Sequence, residues 1–142
     1  MIEGGIRPIQ NISEHEIAAA EMLTDFCFDW RLLGTLYLCD ALAMVLKEGE
    51  GYLAQPITKA ILPEIAARRN TSWQAAERSM RYAIESAWLR AFPEIIQAYF
   101  PRDYPKCGRP SVAQFIHTIG RVLLQDYAQN SAQRFNNFGK VK

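Results

Sequence analysis

Between residues 71 and 90 the chain carries Thr71, Ser72, Gln74, Glu77, Arg78, Arg81 and Glu85, a set of side chains suited to hydrogen bonding with bases and phosphates. At about 100° per residue, Gln74, Arg78, Arg81 and Glu85 fall on one side of a helix, with Glu77 beside them. Arginine presents a planar fork that donates two hydrogen bonds to guanine O6 and N7, and glutamate accepts from cytosine N4. Thr71 and Ser72, with the free N–H groups of a helix start, suit a phosphate. Lys59, Arg68 and Arg69 lie just before them and suit the backbone on either side. The bland alternative is a solvated face on which Arg81 and Glu85 form an i, i+4 pair.

Those side chains need elements to hold them. Opposite the polar face, Ala76, Met80, Ala83, Ile84 and Ala87 form one apolar stripe, so the pattern predicts an amphipathic helix to about Arg90, opened by a Thr71–Gln74 capping box. A helix over about Thr58–Arg69 precedes it across a short turn at Asn70, with Pro63 inside it to kink it or remove one hydrogen bond. The pair reads as a helix-turn-helix, a weak signal by itself in any helical protein. Upstream, Ser13 and Glu16 form a capping box for a first helix with Ile17, Ala20, Leu23 and Phe26 on one face. A second helix, about Thr35–Lys47, is apolar almost all round and is expected at the centre, ended by Gly49 and Gly51. A short helix from Pro93 to Phe100 and a last one from a Ser111–Gln114 capping box to about Asn130 complete six helices. The last buries Phe115, Ile119, Val122, Leu123 and Tyr127. Strand patterns and hairpin turns are nearly absent, so the fold class is all-α. Residues 1–12 read as an entry arm, 13–130 as one domain and 131–142 as a polar tail.

The chain of 142 residues is 49% hydrophobic and 22% charged, ordinary for one globular domain. It has no apolar run long enough for a membrane span and no signal peptide, so we expect a cytoplasmic protein with no membrane contact. The net charge of +1 argues against a polyanionic partner only until it is divided. Residues 1–50 hold three basic residues against nine acids, residues 51–90 six against three, and residues 91–142 seven against three. The acidic share precedes the helix-turn-helix and the basic share begins with it, which suits a basic face turned toward DNA.

Cys27, Cys39 and Cys107 are odd in number and widely spaced, and His15 and His117 stand apart, so no metal site or cofactor is expected; the thiols are expected free, Cys27 and Cys39 as small core residues. No nucleophile–base spacing or phosphate-binding glycine loop is present, so we expect no enzyme. Trp88 is expected in the core, and Trp73 packed beside the preceding helix rather than stacked on a sugar. Trp30 suits the core or a cap. Tyr99, Phe100 and Tyr104 suit either loop packing or an exposed patch.

Three blocks carry a resemblance: GTLYLCDALAMV from Gly34, ITKAILPEIAARRNT from Ile57 and AERSMRYAIESAW from Ala76. In content, order and spacing they resemble the DNA-binding effector domain of the master sporulation response regulators of endospore-forming Firmicutes, the stage 0 sporulation protein A family. GRPSVAQFIHTIGRVLL is similar to that family's closing helix. The resemblance implies a compact six-helix bundle of the response-regulator effector type, akin to winged helices but without a required sheet. It implies a sequence-specific transcription regulator of sporulation whose recognition helix reads an operator box with Glu77, Arg78 and Arg81. It also implies two copies bound in tandem, and a contact with RNA polymerase sigma factor over about Arg90–Phe100.

Three departures stand out. Only residues 1–12 precede the first helix, so we expect no receiver domain and no phosphorelay control within this chain; its start at Met1 favours a free-standing gene product. Arg31-Leu32-Leu33 is less charged and polar than the family's basic segment. LRAFPEIIQAYFPRDYPKC is richer in prolines and aromatics. A second function therefore competes: an interaction module that modulates a full-length regulator or sigma factor.

Overall fold

The computed structural model of the protein describes residues 13–101 and 108–141, the stretch 131–141 as backbone alone. The expected arm at 1–12, Tyr104 and Cys107 lie outside the described residues. Seven helices and no strand are present among those described: α1 (Glu14–Asp25), α2 (Leu33–Glu48), α3 (Glu50–Leu53), α4 (Ile57–Arg68), α5 (Trp73–Arg90), α6 (Pro93–Tyr99) and α7 (Val112–Val141). The all-α class holds.

The hydrophobicity of α2 places it centrally. Leu38, Ala41, Leu42 and Val45 are wholly buried, and the helix packs against α1, α5 and α7. Its crossing with α5 depends on Gly34. A Cβ built there would lie 1.9 Å from the Ser79 carbonyl oxygen, so only a residue without a side chain lets the two backbones meet so closely. Inside, Phe26, the residue that caps α1, stacks on Trp88 of α5 at 5.4 Å between ring centroids, and Phe100 stacks on Phe115 of α7 at 6.0 Å. This aromatic cluster locks the far end of α5 to α1, α6 and α7. Trp88 is thus half-buried packing, and Phe100 is core.

Several local expectations are met. Ser13 and Glu16 form both halves of their capping box, as do Ser111 and Gln114. Gly49 takes a positive φ of 89° after α2. Others are corrected. Gly51 does not end α2 but lies in α3, a single turn absent from the expected six helices. That turn forms because Leu53 folds back onto α7 beside Gly120, a long-range contact that four residues of local pattern cannot announce. The last helix runs to Val141, past the expected end near Asn130, so the stretch taken as a tail has helical backbone. Ile17, expected on the buried face of α1, is 49% exposed; the inward face is Ala19, Met22, Leu23 and Phe26. Cys27 and Cys39 are half-buried rather than core. Cys27 sits at φ 63° in the turn after α1, where Arg90 Nη2 donates to its carbonyl at 2.6 Å.

Candidate nucleic-acid interface

The turn between α4 and α5 fixes how the outer face of α5 is presented. Asn70 adopts φ 56°, a left-handed conformation that asparagine tolerates better than most residues. Thr71 N–H then donates to Ala66 O at 2.9 Å and Asn70 N–H to Ala67 O at 3.4 Å, the paired bonds of a Schellman ending. Thr71 is thereby used in closing α4. The cap of α5 moves one residue on: Ser72 Oγ accepts from Ala75 N–H at 3.1 Å. The expected Thr71–Gln74 capping box does not form, for that reason. In α4, Pro63 leaves the Lys59 carbonyl without its helical donor; both residues are exposed, so water can take its place.

From this start α5 runs with Ala76, Met80, Ala83, Ile84 and Ala87 buried, the stripe read from the sequence. Its inner face is therefore immobilised against α2 and α4, and its outer face is set by the helical period. On that outer face Arg78 is exposed and has no ion pair among the described residues. Arg81 Nη2 lies 3.2 Å from Glu77 Oε1, an i, i+4 pair. Glu85 pairs instead with Arg109 at 2.8 Å, so the Arg81–Glu85 pair weighed from the sequence is not the one made. Gln74 and Ser72 are exposed at the helix start and Thr71 is half-buried. Trp73 is 41% exposed, so its ring is only partly packed.

The flanking cations divide. Lys59 is exposed and unpaired among the described residues. Arg68 lies 3.1 Å from Glu64, which also accepts from the Tyr52 hydroxyl at 2.9 Å. Burial together with that bond to Glu64 pushes the Tyr52 phenol up to about 12, so it remains a donor. Arg69 is held more firmly. Its Nε and Nη2 reach the two oxygens of Asp40 at 2.7 and 3.0 Å. The Asp40 side chain is 12% exposed, and this bond raises the guanidinium pKa further. Arg69 thus ties the end of α4 to α2, and its fork is occupied by a carboxylate. No sequence spacing links residues 40 and 69, so only the packing of α4 on α2 reveals the tie.

The family model described as sporulation initiation factor Spo0A C terminal matches residues 19–123. The chain belongs to this family. The matched span opens inside α1 and closes inside α7, so the whole helix-turn-helix lies within it. Membership makes the protein a DNA-binding, regulatory domain of the sporulation system. No helix of the described residues is long and apolar enough to cross a membrane.

Proposed function

We propose that the domain reads a short operator box in the major groove with the outer face of α5. Arg78 and Arg81 donate to guanine, and Glu77 accepts from cytosine N4. Lys59, Arg68 and the part of Arg69 that Asp40 leaves open lie on the sugar–phosphate backbone, joined by the Thr71 and Ser72 hydroxyls, the Gln74 amide and the free N–H groups at the start of α5. The observation that carries this reading is the state of the arginines. Arg78 has no ion pair among the described residues, while Arg81 is held beside Glu77 by one exposed ion pair on a helix whose opposite face is fully buried. An exposed pair is worth about 0.2–1 kcal/mol, whereas a bidentate arginine–guanine contact discriminates by about 1–3 kcal/mol. DNA therefore releases Arg81 at little cost, and the pair keeps both groups oriented until it does.

Two copies in tandem on adjacent boxes, in the cytoplasm, complete this reading. The test is fluorescence anisotropy with an operator duplex of the family type and a scrambled duplex, each at several salt concentrations. Preference for the operator, with log affinity falling steeply against log salt, is expected; equal affinity for both duplexes sinks specific recognition.

A second reading is a protein-interaction module acting on a full-length regulator or sigma factor. It is favoured by Leu89, 89% exposed, and Phe92, 64% exposed, where α5 gives way to α6. Within Arg90–Phe100 the groups open to such a partner include Phe92, Pro93, Glu94, Gln97 and Ala98, while Ile96 and Phe100 are buried and Arg90, though exposed, is bonded to Cys27 and Ser86. Capture of sigma factor by a protein without affinity for DNA would favour this reading over the first.

A further inference from the structure

The outward face of α1 is polar at Glu14, Glu21, Thr24 and Asp25, but Ile17 stands open among them. Ile17 is 49% exposed, and Trp30, beyond the turn that follows α1, is 38% exposed. With Ala20 and Cys39 they line a groove of about 520 Å³ along the helix. Its walls are held in place. The Trp30 indole N–H donates to Thr24 Oγ1 at 3.2 Å, and the Thr24 hydroxyl donates to Ala20 O at 2.8 Å. The ring is thus anchored with its one polar atom satisfied. Cys39 Sγ donates to Glu16 O at 3.7 Å, and burial pushes its thiol up to about 11, so it presents a neutral surface. Glu21 and Asp25 stand along the rim. Both are exposed, and neither makes an ion pair among the described residues. At 1.5 Å per residue, Glu16 to Asp25 spans about 14 Å, or between two and three helical turns.

We propose that this groove docks an amphipathic basic helix of a second protein, with apolar residues at i, i+3 or i+4 and i+7 against Ile17 and Trp30, and with lysine or arginine against Glu21 and Asp25. This is helix-in-groove recognition, in which a few apolar anchors supply affinity. The rim acids choose a cationic partner and reject an acidic one. A second copy of this chain is the weaker fit. Among its described helices, the face that combines arginines with exposed apolar side chains is the outer face of α5, with Arg78, Arg81, Tyr82 and Leu89. The reading above gives that face to DNA, and the inference rests on that reading at this point alone.

The test uses a synthetic helical peptide of leucine and lysine, leucines on one face, with a leucine–glutamate counterpart as control. Titration of the full chain is followed by NMR at the Ile17 methyls and the Trp30 indole. The lysine peptide is expected to shift both signals and the glutamate peptide neither. Ile17→Gln should weaken binding about tenfold, as loss of a central anchor does, and Glu21→Lys with Asp25→Lys should reverse the preference between the peptides. The preference for operator over scrambled duplex should be unchanged in these variants, because the groove lies on α1 and not on α5, although the added lysines raise affinity for both duplexes alike. Four results overturn the inference: no preference between the peptides, shifts confined to α5, a dimer in sedimentation that Ile17→Gln dissolves, or groove signals that move on removal of residues 1–12 and ignore the peptide. Absence of operator binding by the unaltered protein overturns the α5 reading instead, and the peptide result then stands by itself.

Discussion

The inner and outer faces of α5 share one helix and obey different physics. The inner face is small and apolar: Ala76, Ala83 and Ala87 let α5 lie close to its neighbours, and Met80 and Ile84 fill the space between. The outer face is polar in its first turns, with Gln74, Arg78 and Arg81 all exposed, and carries Tyr82 and Leu89 further along. Substitutions on the inner face should change stability, and substitutions on the outer face should change binding. The difference teaches that a packed core holds still a row of side chains that contribute little to folding, the row to which the proposed function gives recognition.

The two largest expected effects, similar in size, test the inner face, the first of them from its partner side. Gly34→Ala drives a methyl into the Ser79 carbonyl, forcing α2 and α5 apart at a cost of about 3 kcal/mol. Chemical denaturation measures it, and a variant as stable as the original would show that the close crossing is not needed. Met80→Ala leaves a cavity among buried side chains and should cost about 2–5 kcal/mol by the same measurement. Remaining operator preference in that variant should be intact in whatever fraction is folded.

On the outer face, Arg78→Ala should cost about 1–3 kcal/mol of operator binding and relax sequence preference, while stability stays within about 0.5 kcal/mol. Unchanged anisotropy titrations would falsify the assignment of α5 as the reading helix. Between the two faces stands the cap. Ser72→Ala should lower stability by about 1 kcal/mol through loss of the bond to Ala75 N–H, whereas Thr71→Ala should leave the start of α5 unchanged. The opposite ranking, read in thermal melts, would restore Thr71 as the cap. The smallest effect is expected from Lys59→Ala: weaker binding to operator and scrambled duplex alike, with the salt slope reduced by about one. A change in sequence preference there would move Lys59 from the backbone to the bases.

Much of this was legible in the chain. The stripe from Ala76 to Ala87, the capping boxes at Ser13 and Ser111, the turn at Asn70 and the central place of α2 are local patterns with periods of three to four residues. Local hydrogen bonding and periodic burial are written in neighbouring residues, and a reader can recover them. The charge division worked in the same way, separating an acidic first third from a basic remainder that the total of +1 conceals.

What the sequence left open involves residues far apart in the chain. The position of Arg69 at the end of α4 suits a phosphate contact, but the chain gives no sign that Asp40 of α2 takes two of its nitrogens. Ile17, Ala20, Leu23 and Phe26 recur every three residues and read as one face, but α1 rotates so that Ala19 and Met22 face inward and Ile17 looks out. The cap of α5 shifted from Thr71 to Ser72 because α4 closed first and took the Thr71 N–H. By itself the sequence determined that the protein is all-α and which helix carries the arginines, since both follow from composition and period. The tertiary structure decided which cations remain open and which apolar residues stay outside, because those depend on the rotation of each helix against its neighbours, set by the whole packed interior together.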